Sequence, residues 1–235
     1  MYIGGRRERL PRRTLEPIAT EHGVHRRPFQ YFVGAGTWDD GPVRNQLCAQ
    51  VGEELGSVDG VLILDGSGFQ KWGTKSVGVQ RQWCGRLGKT ENCQVGEFLV
   101  YASRKGQTLV DCRLYLPETW ASDRARRTEA HVPRSVKFTK GWELSYEMIK
   151  ARCAVLPHRW VLGDDSYGRV VALRRRLDDD HERYLLEVPS NTRVYLDGGD
   201  GKSRTVASVA DTIPAREWER VRVRDGEKGP IEVKA

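Results

Sequence analysis

The sequence lacks the features that mark several common classes of protein. Five cysteines occur without Cys-x-x-Cys or Cys/His metal spacing, and an odd number argues against a disulfide framework. Free thiols fit a reducing cytoplasm. The sequence has no apolar run long enough to cross a membrane, no signal-peptide core after Met1 and no glycine-rich phosphate loop. These absences predict a cytoplasmic protein without a zinc site.

The charge of the chain is positive and is spread along the sequence. Among 235 residues, 39 are Lys or Arg and 32 are Asp or Glu, which gives a net charge of +7. The basic residues form clusters, at positions 6–7, 12–13, 26–27, 124–127 and 174–176. Such clusters can neutralise the phosphates of a polyanion, although any single cluster is more often an ordinary solvated surface. The composition therefore favours a nucleic acid partner.

One stretch combines a buried strand with a carboxylate. Residues 61–64 are four branched apolar residues, which predicts a short strand that is buried on both faces of a sheet. Asp65 follows directly, and we expect Gly66 and Gly68 to turn the chain sharply. Taken alone, Asp-Gly is more typical of a simple turn than of a catalytic site.

A second stretch repeats this design. Residues 160–163 form a short apolar strand that ends at Asp164, with Asp165 and Gly168 just behind. Two strands that each deliver an aspartate at the same end of a sheet can hold divalent cations such as Mg²⁺, which prefer oxygen ligands. Two such ions about 4 Å apart support phosphoryl transfer. Asp165 follows one residue after Asp164, so its side chain should point to the opposite side of an extended strand.

The remaining pattern predicts three regions, at residues 1–57, 58–189 and 190–235. The first is basic and helical, with an apolar face at Val43, Leu47 and Val51 and a cap at Thr37 or Asp39. The second has an antiparallel meander of strands near 76–83, 93–102 and 108–116, then helices near 141–153 and 167–177 that alternate with strands near 160–163 and 183–188. This order predicts an α/β fold with a mixed sheet flanked by helices. The third region shows a possible strand near 192–195 and a hairpin near the end.

Several segments together resemble a known family. They are the stretches 64–69, 75–79, 91–96, 114–120, 163–168 and 187–189, with the upstream stretch 31–43 around Trp38 and Asp39. In these residues the chain resembles DDE-type transposases of bacterial insertion sequences, whose catalytic domain has the ribonuclease-H-like fold. The resemblance covers nearly the whole chain.

The resemblance implies a specific chemistry. Such enzymes use two aspartates and one glutamate to hold two Mg²⁺ (or Mn²⁺) ions. They hydrolyse a phosphodiester at the end of a transposon, and the freed 3′-hydroxyl then attacks double-stranded target DNA, usually within an oligomer on the DNA. Asp65 matches the first carboxylate and Asp164 the second.

The third carboxylate has no evident match. In the family, a β-rich insertion separates the second aspartate from the helix that carries the glutamate, and residues 190–235 resemble the start of that insertion. Glu217, Glu219, Glu227 and Glu232 therefore fit surface positions of the insertion. The expectation is a catalytic domain that stops before its own glutamate.

Three functions remain open on the sequence. The first is a truncated transposase catalytic domain, and the second is a non-catalytic DNA-binding remnant. The third is a metal-dependent nuclease that recruits Glu97 as its last carboxylate, although Glu97 fits an edge or solvent position on its strand better. Lys140, Arg174, Arg175 and Arg176 are candidates for contact with the DNA backbone.

Overall fold

The computed structural model describes residues 10, 12, 14–37, 39–196, 198–199, 201–226 and 229–234. Its backbone contacts divide the chain into two compact units, with the boundary between residues 46 and 47. None of the helices in the described ranges is long and apolar enough to cross a bilayer.

The first unit is a small helical cluster. Helix α1 (Leu15–Glu21) and helix α2 (Arg27–Gly34) enclose Ile18, Ala19 and Phe29. Helix α3 (Gly41–Glu54) begins after Asp39, whose side chain accepts a hydrogen bond from the Gly41 amide at 2.9 Å. Trp38 lies outside the described residues.

The C-terminal half of α3 belongs to the second unit. Val51 is buried there, whereas Leu47 and Val43 are progressively more exposed, at 39% and 60%. The predicted apolar stripe is therefore buried at one end of the helix, where it meets the main core.

Six strands of the described chain form one mixed sheet. They are β1 (Val61–Gln70), β2 (Gln80–Cys84), β3 (Lys89–Ser103), β4 (Gly106–Leu114), β5 (Trp160–Gly163) and β6 (Tyr184–Leu186). Strand β3 pairs antiparallel with β1, β2 and β4, while β1, β5 and β6 are parallel neighbours. The arrangement is consistent with the predicted ribonuclease-H-like fold, and consecutive strands β2, β3 and β4 are antiparallel as expected.

Five α-helices lie in the described chain between these strands, three of them between β4 and β5 and two between β5 and β6. They are α4 (Glu118–Ser122), α5 (Arg124–Glu129), α6 (Gly141–Arg152), α7 (Asp165–Gly168) and α8 (Val171–Asp179). The single helix predicted near 167–177 is thus two helices. The break falls between Gly168 and Val171, where Val170 has an extended backbone with ψ 96°.

Strand β1 corrects the prediction that the chain turns at Gly66. The strand continues to Gln70, because Gly66 and Gly68 remain paired with β3. A Cβ atom at Gly68 would lie 2.8 Å from the Cys84 sulfur, so this glycine serves close packing rather than a turn. Strand β2 begins at Gln80 rather than near 76, since the chain before it turns through Gly78, which has φ +78°.

The core lies on one side of the sheet, here called the helix face. It carries Leu62 and Leu64 of β1, which pack with buried residues of α6 and α8, namely Met148, Ile149, Leu173 and Leu177. The opposite side, here called the open face, carries Ile63, Asp65 and Phe69 of β1 by the alternation of a strand. Its apolar residues include Leu109, Leu114 and Leu185, which are 53%, 45% and 69% exposed.

The region after the main sheet contains small separate elements. Strands β7 (Arg193–Val194) and β8 (Arg204–Thr205) pair with each other, and helix α9 (Val206–Ala210) follows. Strands β9 (Arg220–Gly226) and β10 (Gly229–Lys234) form the hairpin expected near the end, while Glu227 lies outside the described residues.

Candidate active site

The fold brings Asp65 and Asp164 to neighbouring positions. The parallel ladder pairs Val61 with Trp160 and continues in step until Leu64 pairs with Gly163. Asp65 is the next residue of β1 and Asp164 the first residue after β5, and adjacent strands lie about 4.8 Å apart. Two aspartates that are far apart in sequence therefore stand side by side at one end of this ladder.

Both carboxylates are available to a ligand. Asp65 is exposed, and its carboxylate makes no hydrogen bond or ion pair with the described residues. Asp164 is also exposed, and it caps helix α7. Its Oδ1 accepts hydrogen bonds from the Ser166 amide at 3.0 Å and the Ser166 hydroxyl at 2.5 Å, so the cap fixes the carboxylate and leaves Oδ2 free.

Asp165 has a different environment from its neighbour. It is the first residue of α7, and its carboxylate forms an ion pair with Arg169 one turn later. The Asp165 side chain is therefore held by Arg169 and not by a contact with Asp65. The pair of strand-end aspartates is thus Asp65 and Asp164.

Glycines allow α7 to sit close to the sheet. A Cβ atom at Gly168 would overlap the carbonyl oxygen of Glu187 just after β6, and one at Gly163 would lie 3.1 Å from the Tyr167 ring. The short helix can therefore pack directly on the ends of β5 and β6. This packing places the capping aspartate at the edge of the sheet.

Beneath this turn lies a carboxylate whose burial the sequence did not reveal. Glu97 is 8% exposed, so its assignment to an edge or solvent position was wrong. It accepts hydrogen bonds from the Tyr167 hydroxyl at 2.6 Å and the Ser145 hydroxyl at 3.1 Å. Burial and the nearby Glu97 carboxylate raise the pKa of Tyr167 far above its usual value, so Tyr167 remains a neutral donor.

Glu97 faces away from Asp65. In the antiparallel ladder Glu97 pairs with Gly66, while Asp65 pairs with Phe98, so the two carboxylates lie on opposite faces of the sheet. Glu97 points to the helix face, where Ser145 and Tyr167 hold it. This geometry disfavours the hypothesis that Glu97 completes a metal site with the two aspartates.

The two aspartates provide part of the ligand set that a divalent cation needs. Mg²⁺ is commonly held by one or two carboxylates, with water and phosphate oxygens in the remaining positions. Asp65 and Asp164 supply that minimum. Across the residues that the structure describes, however, no group of three or more His, Cys, Asp or Glu side chains is arranged to hold a metal.

The four basic candidates differ in how free they are. Lys140 is exposed at the start of α6, where its amide donates to Glu143 at 3.0 Å. Arg174 is committed to the Gly168 carbonyl, and the Arg176 guanidinium lies 5.1 Å from the ring centroids of Trp142 and Tyr146. Arg175 is exposed, and its guanidinium has no hydrogen bond or ion pair within the described ranges, which leaves it the least constrained of the three arginines.

Sequence comparison identifies what the chain is similar to. The family described as "DDE superfamily endonuclease" matches residues 8–230. A curated relative, the "Probable transposase for insertion sequence element IS701" of Microchaete diplosiphon, is 33% identical over 84 residues. That match takes in 35% of this chain and 22% of the relative, so it spans much less than two thirds of the relative's length.

Proposed function

Because the chain belongs to the DDE superfamily of endonucleases, we propose that it is the catalytic domain of a DNA transposase. The reaction is metal-dependent hydrolysis of a phosphodiester at transposon ends, followed by strand transfer into double-stranded DNA. The observation that carries the proposal is the parallel pairing of β1 with β5, which sets Asp65 beside Asp164. Both side chains are exposed, as a site for a polymeric substrate requires.

Asp65 and Asp164 would hold a divalent cation, Mg²⁺ or Mn²⁺, and a complete enzyme of this kind holds two. When bound, the metal supplies charge stabilisation at the phosphate and activates the attacking oxygen. The cap of α7 keeps Asp164 in one orientation before metal or substrate arrives, because Ser166 holds one of its oxygens. Asp65 remains free to adapt to the ligand.

Among the described residues, no third carboxylate joins Asp65 and Asp164 in a group that could hold a metal. On the helix face Glu97 is already engaged by two hydroxyls, and Glu232 in β10 forms an ion pair with Arg220 at 3.4 Å. An added acidic group would have to approach Asp65 from the open face. The 235-residue chain alone should therefore bind metal weakly and cleave DNA slowly.

Metal binding by the two aspartates is the direct test. We expect Mn²⁺ titration of the 235-residue chain, followed by water proton relaxation, to show a weak site. Asp65→Asn and Asp164→Asn should each weaken it by at least about tenfold, since each removes a charged oxygen ligand. Asp165→Asn is the matched control and should leave the affinity unchanged, because Asp165 pairs with Arg169.

Nicking of supercoiled plasmid with Mg²⁺ distinguishes the enzyme from a DNA-binding remnant. Slow nicking that disappears in Asp65→Asn and Asp164→Asn supports the catalytic proposal. Salt-sensitive DNA binding without metal-dependent nicking, in a protein that also binds no Mn²⁺, would favour the remnant. Equal metal affinity in all three variants would refute the assignment of the site.

A further inference from the structure

The loop between β1 and β2 presents a tryptophan to solvent. Trp72 is 92% exposed, which makes it the most exposed of the large hydrophobic side chains in the described ranges. Tryptophan is normally well buried in proteins, because its large ring gains much from leaving water. An indole that is left almost entirely in water suggests a partner that covers it.

The backbone on both sides of Trp72 is held in place. The Asn92 side-chain amide donates to the Lys71 carbonyl at 2.7 Å and to the Gly73 carbonyl at 2.8 Å. The Lys71 amide also donates to the Asn92 carbonyl at 2.9 Å, and Gly73 adopts φ +87° to complete the bend. Asn92 thus fixes the position from which the indole projects, without using the indole itself.

The surroundings of Trp72 are cationic and polar. The nearest residues along the loop are Lys71, Gly73, Thr74 and Lys75, and the adjacent edge strand adds Arg81. Further basic residues along the chain are Arg86, which lies between β2 and β3, and Lys89, the first residue of β3. Lys75 pairs with Glu129 at 2.5 Å and Lys89 with Glu91 at 3.3 Å, so the positive charge is only partly balanced.

We infer that Trp72 stacks on an unpaired or displaced base of the DNA that the protein acts on. The inference rests on the proposed function and adds a contact that recognises distorted DNA rather than a sequence. An aromatic ring beside cations is how proteins hold single-stranded bases, because the ring covers the base while the cations meet the phosphates. A protein partner would instead call for apolar neighbours around the tryptophan, and this loop has few.

The placement along β1 fits a continuous DNA contact. Asp65 and Gln70 are five steps apart on the same strand, which is about 16 Å at 3.3 Å per residue. Trp72 follows two residues later. A duplex that runs along β1 from a scissile phosphate at Asp65 would reach the Trp72 loop within about five to seven base pairs, at 3.4 Å per pair.

Binding of defined DNAs to the 235-residue chain tests this inference. Fluorescence anisotropy would compare a perfect duplex with the same duplex carrying one unpaired thymine. We expect the wild-type protein to prefer the unpaired base by about tenfold. Trp72→Ala should abolish the preference and Trp72→Phe should retain most of it. Trp72→Leu, which is apolar but cannot stack, should behave like Trp72→Ala.

Lys71→Ala is the control for charge. This substitution should weaken binding to both DNAs equally without changing the preference for the unpaired base. The number of phosphate contacts derived from the salt dependence of binding should fall by about one. Thermal unfolding of the variants should match the wild type, since Trp72 is exposed. Two results would overturn this inference alone: binding to both DNAs without a preference, or a preference for the unpaired base that survives Trp72→Ala. Self-association of the protein that is lost in Trp72→Ala, while the DNA preference persists, would overturn it as well. No binding to either DNA would overturn the proposed function together with the inference.

Discussion

At the scale of single residues, Glu97 connects three parts of the fold. It extends from β3, and its carboxylate is held by Ser145 of α6 and Tyr167 of α7. Gly141 leaves room for it, because a Cβ atom there would overlap Glu97 Oε1. Since Tyr167 lies in the helix that Asp164 caps, this buried contact supports the turn that carries one of the two candidate metal ligands.

Removing the Tyr167 hydroxyl should measurably destabilise the fold. A hydrogen bond to a charged acceptor contributes about 1.5–3 kcal/mol, so Tyr167→Phe should lower the free energy of unfolding by about that amount in urea titrations. A double-mutant cycle with Glu97→Gln should give a coupling of at least about 0.5 kcal/mol. Tyr195→Phe, at a residue that is 72% exposed, is the control. Equal effects of the two phenylalanine substitutions would contradict the proposed link.

At the scale of elements, helices α6 and α8 are joined through Asp180. Its carboxylate accepts hydrogen bonds from the Tyr146 hydroxyl at 2.7 Å and the Lys150 ammonium at 2.9 Å. These two donors, Tyr146 first, lower the pKa of Asp180 below its ordinary value of 3.8. A group with a lowered pKa stabilises the folded state above its unfolded pKa, and the stabilisation is lost as the pH falls through its folded pKa.

This linkage predicts a defined acid sensitivity. In the wild type, part of the stability should be lost as the pH falls below about 4. Asp180→Asn should be less stable at neutral pH, and its stability should fall less steeply over the same acidic range, because the titrating group is gone. Asp179→Asn, at the exposed neighbour, should keep the wild-type profile. Urea midpoints measured between pH 2 and pH 6 would test this, and identical slopes for the wild type and Asp180→Asn would refute it.

The sequence predicted some elements well because local pattern decides them. The apolar run that ends at Gly163 predicted β5, and the apolar spacing after Gly141 predicted α6. Adjacent placement of Asp65 and Asp164 was also expected, since two strands of one sheet carried them. The structure adds the register, which no local pattern contains.

Other features depended on contacts between distant residues. Gly66 and Gly68 were predicted to form a turn, but both stay paired with β3, and the small size of Gly68 leaves room for the Cys84 side chain at the end of β2. The burial of Glu97 follows from its pairing with Gly66, which determines the face on which it lies. Pairing partners cannot be read from one strand, so both errors have the same origin.

At the scale of the whole molecule, the sheet is covered unequally. The buried core lies on the helix face, while Leu109, Leu114 and Leu185 on the open face remain about half or more exposed. Parallel strands are usually covered on both faces. Asp65 lies on this same open face, so the apolar residues and the candidate metal ligand share one side of the sheet.

An apolar dye should detect the open face in the folded protein. We expect anilinonaphthalene sulfonate to fluoresce with the native 235-residue chain and to fluoresce less with Leu185→Ser or Leu109→Ser. Because both side chains are exposed, the free energy of unfolding should change by no more than about 0.5 kcal/mol. Val58→Ser removes a residue that is 80% exposed outside the sheet and should leave the dye signal unchanged. A signal that is insensitive to both leucine substitutions would place the dye elsewhere.

The parallel pairing of β1 with β5 also has a kinetic consequence. The aspartates at positions 65 and 164 are separated by 99 residues, so they meet only after a long loop has closed, at an entropic cost that grows with the logarithm of its length. Long-range strand pairing of this kind forms slowly. During synthesis, β5 emerges well after β1 and must dock before the two carboxylates become neighbours. A nascent or partly folded chain therefore presents Asp65 before Asp164 can stand beside it, so the candidate metal site forms only when β5 docks against β1.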